Sequence, residues 1–290
     1  MDFFEKLFYS GSMNNDLGLW GQVVDIKRTR DYRLYTYNNE IILDLYQDGA
    51  SAIMGHKGGS ALLHLKNAVS QGLLPTYPSI YTSRLKKALA KLYPDFSNFI
   101  IVSNFKEGQR LLSSNGPYHT LLPLSDFEET NKSVPYLIKI PLPGCGTPGA
   151  IAYHKEAPNP NCNFSDQLVS PFLLAAATRA VYDFIAFKNE VKDINFDWWD
   201  KAVGEAVCKS ANLNVEIERE NDKLVSDGFM RRGPYLYYLG DEKSYASRFC
   251  WALKNEVLIS PNWGEPSLLP FKTTNGEQAK ILKALLGPLS

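Results

Sequence analysis

The amino-acid sequence predicts an α/β protein, because segments typical of strands and of helices alternate along the chain. Apolar residues at helical spacing predict amphipathic helices at 60–74, 81–94 and 170–191. Short runs rich in β-branched residues, such as 99–102 and 257–261, predict strands. The chain contains no internal repeat. Interleaved strands and helices of this kind favour helices packed on sheets.

Length and composition indicate an ordinary globular protein. The chain has 290 residues, of which 44% are apolar and 21% charged, which allows one large domain or two closely associated ones. Lys+Arg and Asp+Glu both number 31, so no excess charge favours nucleic acid or an anionic membrane as a partner. No apolar run reaches roughly 18 residues, so no membrane span is predicted.

Cysteine and histidine spacing argues against disulfides and metal sites. The cysteines are far apart, form no CxxC pair and are predicted to be free thiols in a reducing cytoplasm: Cys145, Cys162, Cys208 and Cys250. The four histidines have no metal-ligand spacing with them, so no metal site is expected.

The N-terminal half begins with short strands and continues with two helices. Residues 33–46 predict a hairpin with its turn at Asn38-Asn39. The helix at 60–74 should carry its apolar residues on or near one face: Leu62, Leu63, Leu65 and Val69. The helix at 81–94 should begin at a Ser83 cap and stop at Pro94.

A strand at 99–102 then runs into a helix at 105–112, with a polar corner between them. Corners of this shape often hold a phosphate. Residues 113–169 are rich in turns, with short strands expected at 135–140 and 149–153. The 170–191 helix should have Ser170 as its cap and Pro171 in its first turn.

The C-terminal half continues the alternation of helices and strands. A helix is expected at 200–213 and short strands within 215–240. Helices at 242–256 and 276–287 flank the strand at 257–261.

The order of these pieces resembles the class III aminotransferases, the fold-type I pyridoxal-phosphate (PLP) enzymes that include glutamate-1-semialdehyde aminomutase and ornithine aminotransferase. "YTYNNEIILDLYQDGASAIMGHKGG" resembles the opening of the family, with Asp44, Gly55 and His56 in matching places. "DGFMRRGPYLYYLG" is similar to its Arg-Gly strand, through Arg232 and Gly233. "SPFLLAAATRAV" resembles the helix after the cofactor lysine, and 249–287 the closing helix–strand–helix unit.

The resemblance implies a small α+β domain built from both chain ends, a large domain in the middle, and a homodimer. The corresponding boundaries are 1–56, 57–212 and 213–290. Residues 105–170 are too few for the seven-stranded sheet of the family with its crossover helices, so a reduced large domain is expected.

The same resemblance provides candidate site residues. Asn104 and Glu107 match the phosphate corner of the family, but Phe105 replaces the glycine that lets the backbone approach a phosphate. Pro141 stands at the position of the Schiff-base lysine, and Lys139, two residues before it, is the candidate catalytic lysine. These two side chains should point to the same side of a strand.

Further candidates follow from the family motifs. Tyr118 and His119 resemble the step whose aromatic ring stacks on the cofactor, but Thr120 replaces the glycine of that step, and a surface turn explains these residues at least as well. Ser165 lies beside Asp166, which replaces a phosphate-binding threonine and would repel a phosphate dianion. His56, Arg231 and Arg232 are candidate ligand residues of the cleft, although a charge pair at a strand edge explains the arginines better than carboxylate binding does.

The sequence therefore predicts a cytoplasmic homodimer related to the class III aminotransferases, without a covalently bound cofactor. It should bind a small anionic ligand or a partner. The alternative is a working PLP-dependent aminotransferase or aminomutase that uses Lys139. A third possibility is a structural dimer that needs a second protein.

Overall fold

A computed structural model describes residues 15–57, 59–125, 132–144, 146–157, 164–211 and 228–287. It confirms the α/β class, since helices and strands alternate over the described chain. A kinked 3-10 helix lies at Asn15–Gln22. The α-helices of the described part are α1 Ala61–Ser70, α2 Ile80–Leu92, α3 Phe105–Ser113, α4 Pro171–Val191, α5 Asp197–Ala211, α6 Glu242–Lys254 and α7 Asn275–Leu286.

The strands are short and fall into three sheets. Their bounds are β1 Ile26–Arg30, β2 Arg33–Thr36, β3 Ile41–Asp44, β4 Phe96–Val102, β5 His119–Leu121, β6 Tyr136–Lys139, β7 Gly149–His154, β8 Phe229–Arg232, β9 Tyr235–Tyr238, β10 Val257–Leu258 and β11 Ser267–Leu268. The sheet orders are β1-β2-β3-β10, β11-β9-β8 and β4-β7-β6-β5.

The chain forms two compact units, one from residues 1–49 and 195–290 and the other from residues 50–194. The expected domain boundaries, after residues 56 and 212, differ from these limits by seven and 18 residues and stay a prediction.

The first unit joins the two chain ends through one parallel strand pair. β3 pairs with β10, so that Leu43 lies opposite Val257. The Leu45 N–H donates to the Leu258 carbonyl at 2.8 Å, and the Leu268 N–H donates to the Leu45 carbonyl. Its apolar core draws on both segments and includes Leu43, Leu45, Trp199, Phe249 and Ile281. Neither segment could bury this core alone.

The second unit is built around its four-stranded sheet. β4, β7 and β6 are antiparallel neighbours, whereas β5 lies parallel to β6. α3 packs on one face of this sheet, over an apolar cluster that includes Val102, Leu112, Leu137, Ile151 and Tyr153. α1 and α2 pack against α4, and α2 also contacts β4.

Most predicted elements are present, but three local predictions are wrong. α2 begins one turn earlier than expected, because Ser79 rather than Ser83 caps it and accepts from the Tyr81 N–H at 3.0 Å. Ser170 makes no capping hydrogen bond, although Pro171 occupies the first turn of α4 as expected. The strand expected at 257–261 covers only Val257–Leu258, and residues 212–227 lie outside the described part.

α1 also differs from its predicted packing. Its buried residues are Ala61 and Ala68, whereas Leu62 and Leu63 are 43% and 58% exposed. Small alanines therefore allow α1 to approach α4, whereas Leu62 and Leu63 of the predicted apolar face lie at the surface and Leu65 is half-buried.

None of the helices in the described part is long and apolar enough to cross a membrane. Cys250 is a free, exposed thiol, and the other cysteine side chains lie outside the described residues.

Candidate functional site

The corner between β4 and α3 is stabilised by its own side chains. β4 ends at Val102 and α3 begins at Phe105. The Asn104 side-chain carbonyl accepts from the Glu107 N–H at 2.9 Å, which satisfies one of the unpaired amides of the helix start. The predicted cofactor residue Asn104 therefore acts as the N-cap of α3.

A segment that we call the strap, residues 165–168, lies along the outer edge of β4. The Gln167 N–H donates to the Ile101 carbonyl at 2.8 Å. In return, the Ile101 N–H donates to the Asp166 carboxylate at 2.9 Å, and the Ser103 N–H donates to the Gln167 side-chain carbonyl at 2.7 Å. The strap therefore supplies oxygen acceptors to two backbone amides beside the corner.

Two carboxylates flank the corner. Glu107 accepts two hydrogen bonds from Arg110, at 2.8 and 2.7 Å, and a longer one from Gln167. The bonds from Arg110 lower the pKa of Glu107 below its usual value, so this group is ionised at neutral pH. The Lys86 ammonium donates a hydrogen bond to the Asp166 carboxylate, with 2.7 Å between Nζ and Oδ2. The two cations next to the corner are therefore already paired with carboxylates of the protein and are not free to bind a phosphate.

Lys139 lies at the end of β6, next to the corner. Its Nζ atom is 4.9 Å from the centre of the Phe105 ring, a cation–π contact. Its cross-strand partner is Gly149 on β7. Lys139 therefore points to the sheet face that α3 covers, with its ammonium against the ring of the first residue of that helix.

Gly149 brings β7 very close to this corner. A Cβ at this position would lie 3.1 Å from a Val102 methyl carbon, 3.4 Å from the Phe105 Cα and 3.6 Å from the Asn104 carbonyl oxygen. The space under the corner is thus filled by the backbone and side chains of the protein itself.

The other predicted cofactor residues lie on β5, directly before it, and in the strap. Tyr118 packs against the same apolar cluster as Phe105. His119 lies on β5 with its ring 5.1 Å from that of Tyr136, and its Nε2 atom is buried without a hydrogen-bond partner among the described residues. Ser165 is exposed in the strap.

The predicted cleft residues are divided between the two units. In the first unit, the Arg231 guanidinium forms two hydrogen bonds to Asp200, at 2.8 and 2.6 Å, and a third to the Gly233 carbonyl. The charge-pair interpretation of Arg231 is therefore the one that its contacts support. Arg232 is half-buried on β8, and His56 is half-buried in the second unit.

Sequence reasoning missed Gln167 and Lys86. Gln167 has no motif, and its role follows from its position opposite the free edge of β4. Lys86 is one of several lysines on α2, and only the packing of the second unit pairs it with Asp166, 80 residues later. The described residues contain no group of three or more His, Cys, Asp or Glu side chains placed to hold a metal.

A cofactor phosphate does not fit this corner as it stands. The Ser103 and Glu107 amides already have acceptors, Phe105 stands where a glycine would be needed, and two carboxylates are adjacent. The residues present thus form a packed and hydrogen-bonded corner rather than a free anion site.

Comparison of sequences reveals relatives but no family. No family model matches the chain. It is 24% identical over 272 residues to an uncharacterized protein of Borreliella burgdorferi, covering 90% of each chain. It is 25% identical over 279 residues to an uncharacterized protein of Treponema pallidum, covering 84% of this chain and 88% of the relative.

Comparison of structures reveals the fold. An omega-transaminase from Sphaerobacter thermophilus superimposes with a TM-score of 0.62 at 9% identity, over 96% of this chain and 97% of that one. Plasmodium falciparum ornithine delta-aminotransferase superimposes with a TM-score of 0.62 at 12% sequence identity, over 98% of this chain and 97% of that one. N-acetylornithine aminotransferase from Stenotrophomonas maltophilia superimposes with a TM-score of 0.59 at 12% sequence identity, over 90% of this chain and 94% of that one. The chain therefore has the fold of the PLP-dependent aminotransferases.

Proposed function

We propose that this protein has the aminotransferase fold but does not form a Schiff base with PLP, and that it acts by binding. The closed corner is the observation on which this proposal rests. The strap occupies the Ser103 amide, the Asn104 cap occupies the Glu107 amide, and Phe105 stands where a glycine would let the backbone approach a phosphate. Pro141, which has no amine, stands at the family position of the cofactor lysine.

The test is whether purified protein holds PLP. We expect the purified protein to be colourless. After PLP is added, the visible absorbance of the mixture should equal that of free PLP alone. Borohydride reduction followed by peptide mass spectrometry should find no cofactor on any lysine. An ornithine aminotransferase treated in parallel is the positive control. A yellow protein with PLP fixed to one peptide would contradict the proposal.

A second candidate function, a working PLP enzyme, is favoured by the position of Lys139. Its ammonium lies against Phe105, the first residue of α3, and thus beside the corner. If this candidate is correct, borohydride should attach PLP to the Lys139 peptide, and Lys139→Ala should abolish the attachment. Lys155→Ala, which removes an exposed lysine, is the matched control and should leave the attachment unchanged.

We favour a protein partner over an anionic ligand as the binding partner. The partner that we favour is a second copy of this chain. Arg231, a predicted anion ligand, is already paired with Asp200. In the second unit, four apolar residues on two segments are more than half exposed, and we call them the apolar patch: Leu74, Tyr77, Ile80 and Leu168. A hydrogen-bond contact of 3.3 Å between Thr76 and Ser170 brings their segments together. Exposed apolar residues grouped in this way mark interaction surfaces.

Light scattering after size-exclusion chromatography tests this assembly. We expect a dimer at micromolar concentration, and a shift toward monomer in the Tyr77→Ser, Leu168→Ser double variant. Tyr37→Ser removes an aromatic side chain that is 75% exposed in the first unit and should leave the dimer intact. A wild-type monomer, or an unaffected double variant, would exclude this interface. A cytoplasmic location remains a prediction of the sequence.

A further inference from the structure

Trp263 presents an aromatic face at the surface of the first unit. Its side chain is 50% exposed in the turn between β10 and β11. The indole N–H donates to the Gly240 carbonyl at 3.1 Å, which fixes the orientation of the ring. Leu239, beside that carbonyl, is 51% exposed. An oriented, exposed tryptophan provides a rigid contact surface at little entropic cost.

Trp20 is a second exposed tryptophan in this unit. Its side chain is 41% exposed, and its ring meets the Tyr46 ring edge-on at 5.3 Å. Each cation–ring contact within the described residues uses a tyrosine or a phenylalanine, at Tyr35, Tyr81, Phe105, Tyr182 and Phe196. The tryptophans, whose rings attract cations most strongly, take no part in these contacts.

Glu265 provides negative charge in the turn that carries Trp263. Its carboxylate accepts from the Asn262 side-chain amide at 3.0 Å, and its N–H donates to the Asn262 carbonyl, so it is held in the same turn as Trp263. Burial raises the pKa of Tyr46, and the charges of Asp48, Glu265 and Asp44 raise it further. The Leu45 carbonyl, next to Tyr46 in the chain, accepts from the Leu268 N–H at 2.6 Å, so the segment that carries Trp263 and Glu265 is bonded to the segment of the tyrosine that Trp20 contacts.

The charges around this turn are mainly acidic. Asp241 and Glu242, which follow Gly240 in the chain, are exposed carboxylates at the start of α6, and the exposed Lys243 is the adjacent basic residue. A bound anion would be repelled here, whereas a guanidinium or ammonium group would gain both a carboxylate and an aromatic face.

We propose that Trp20, Trp263 and Glu265 form a surface site for the cationic side chain of an arginine- or lysine-containing peptide partner. The inference is independent of the proposed function, since it uses none of the residues of the β4–α3 corner. The charge complementarity and the unused tryptophan faces support it, because planar, weakly hydrated guanidinium stacks well on an indole.

Fluorescence anisotropy at low salt tests the site with the intact protein. The probe is a short, labelled arginine-rich peptide, and its control is the same peptide with every arginine replaced by citrulline, which is neutral and nearly isosteric. We expect binding of the arginine peptide only. Trp263→Ala and Glu265→Gln should each weaken it by about fivefold or more. Glu190→Gln, an exposed carboxylate on α4, is the matched control and should have no effect.

Circular dichroism separates a binding defect from a folding defect. Glu265→Gln keeps the size of the side chain and an oxygen that can accept from the Asn262 amide. The spectrum and melting temperature of this variant should therefore equal those of the wild type. The proposal is overturned if the wild-type protein does not bind the arginine peptide at concentrations up to about 1 mM. Equal binding of the citrulline peptide, or unchanged binding by both site variants, would overturn it as well.

Discussion

Gly108 shows how single residues determine the packing around the corner. It lies inside α3 on the helix face that meets the sheet, and a Cβ there would lie 2.5 Å from a Leu137 methyl carbon and 3.2 Å from a Val102 methyl carbon. Together with Gly149 on β7, it allows α3 and the sheet to approach more closely than any larger residue would permit.

We predict that Gly108→Ala destabilises the protein, although alanine has a higher helix propensity than glycine. Alanine gains up to about 1 kcal/mol over glycine in a helix, but overpacking a close contact costs about 1–3 kcal/mol. Gly276→Ala in α7 is the matched control, since nothing lies within 4 Å of its Cβ position. Urea unfolding should find Gly108→Ala less stable and Gly276→Ala unchanged or slightly stabilised. A Gly108→Ala variant as stable as the wild type would mean that Leu137 gives way freely.

At the scale of elements, α7 is held by a capping box and an ion pair at its N-terminus. Thr274 and Glu277 cap each other, and the Arg33 side chain on β2 bonds to Glu277 at 2.6 Å. Burial alone would raise the pKa of Glu277, but the hydrogen bonds from Thr274 and Arg33 outweigh it and lower the pKa below 4.5. Glu277 thereby anchors α7 to a strand from the other end of the chain.

We predict that Glu277→Ala costs about 1–2 kcal/mol in the free energy of unfolding at pH 7. Glu277→Gln should cost less, because glutamine can complete the capping box. Since the pKa of Glu277 is lower in the folded protein, its ionic contribution is present above pH 4.5 and is lost as the pH falls below that value. Thermal unfolding between pH 7 and 3 should therefore find the Gln variant approaching the wild type. A constant difference would contradict this linkage.

The strap is the other element whose role rests on a few hydrogen bonds. It covers the exposed edge of β4, and an uncovered edge would present unpaired backbone groups to other chains. Asp166 contributes twice, as the acceptor of a strand amide and as the partner of Lys86.

We predict that Asp166→Ala costs about 1–3 kcal/mol, because the Ile101 N–H loses its acceptor. Asp166→Asn should cost no more than about 1 kcal/mol, since an amide oxygen can still accept and the partly exposed ion pair contributes little. Amide hydrogen exchange should accelerate at Ile101 in the Ala variant and not in the Asn variant. Equal exchange in both variants would show that the strap does not protect this edge.

At the scale of the whole molecule, the two units have different chain connectivity. The second unit is one continuous stretch, 50–194, whereas the first needs segments from both chain ends. The parallel pairing of β3 with β10 and the shared apolar core make those segments interdependent.

We therefore predict that a fragment of residues 50–194 folds alone with a cooperative urea transition, whereas residues 195–290 alone do not. Mixing in a peptide of residues 15–49 should restore structure to the C-terminal fragment, because it supplies β3 and the apolar residues of that segment. Circular dichroism and one-dimensional NMR give the readout. A cooperative transition of the isolated C-terminal fragment would disprove the interdependence.

Local patterns predicted most elements and the fold class, because amphipathic periodicity and turn residues are properties of neighbouring positions. The hairpin around Asn38-Asn39 was confirmed as β2 and β3, and the 99–112 corner as β4 and α3. The cap of α2 was missed because Ser79 and Ser83 are both reasonable caps by residue type. The buried face of α1 carries alanines rather than leucines, and the periodicity of apolar residues alone does not predict this, because it does not identify the face that meets a neighbouring helix.

The sequence by itself determined the alternation of elements, the order of pieces that matches the aminotransferase fold, and the residue types at the corner, including Phe105. Only the tertiary structure decided which groups satisfy that corner. Asp166 and Gln167 reach it from more than 60 residues away. In the first unit, Arg231 pairs with Asp200, which lies 31 residues earlier in the chain. Hydrogen bonds and charge pairs act through space at about 3 Å, so their partners are set by chain folding rather than by sequence neighbours.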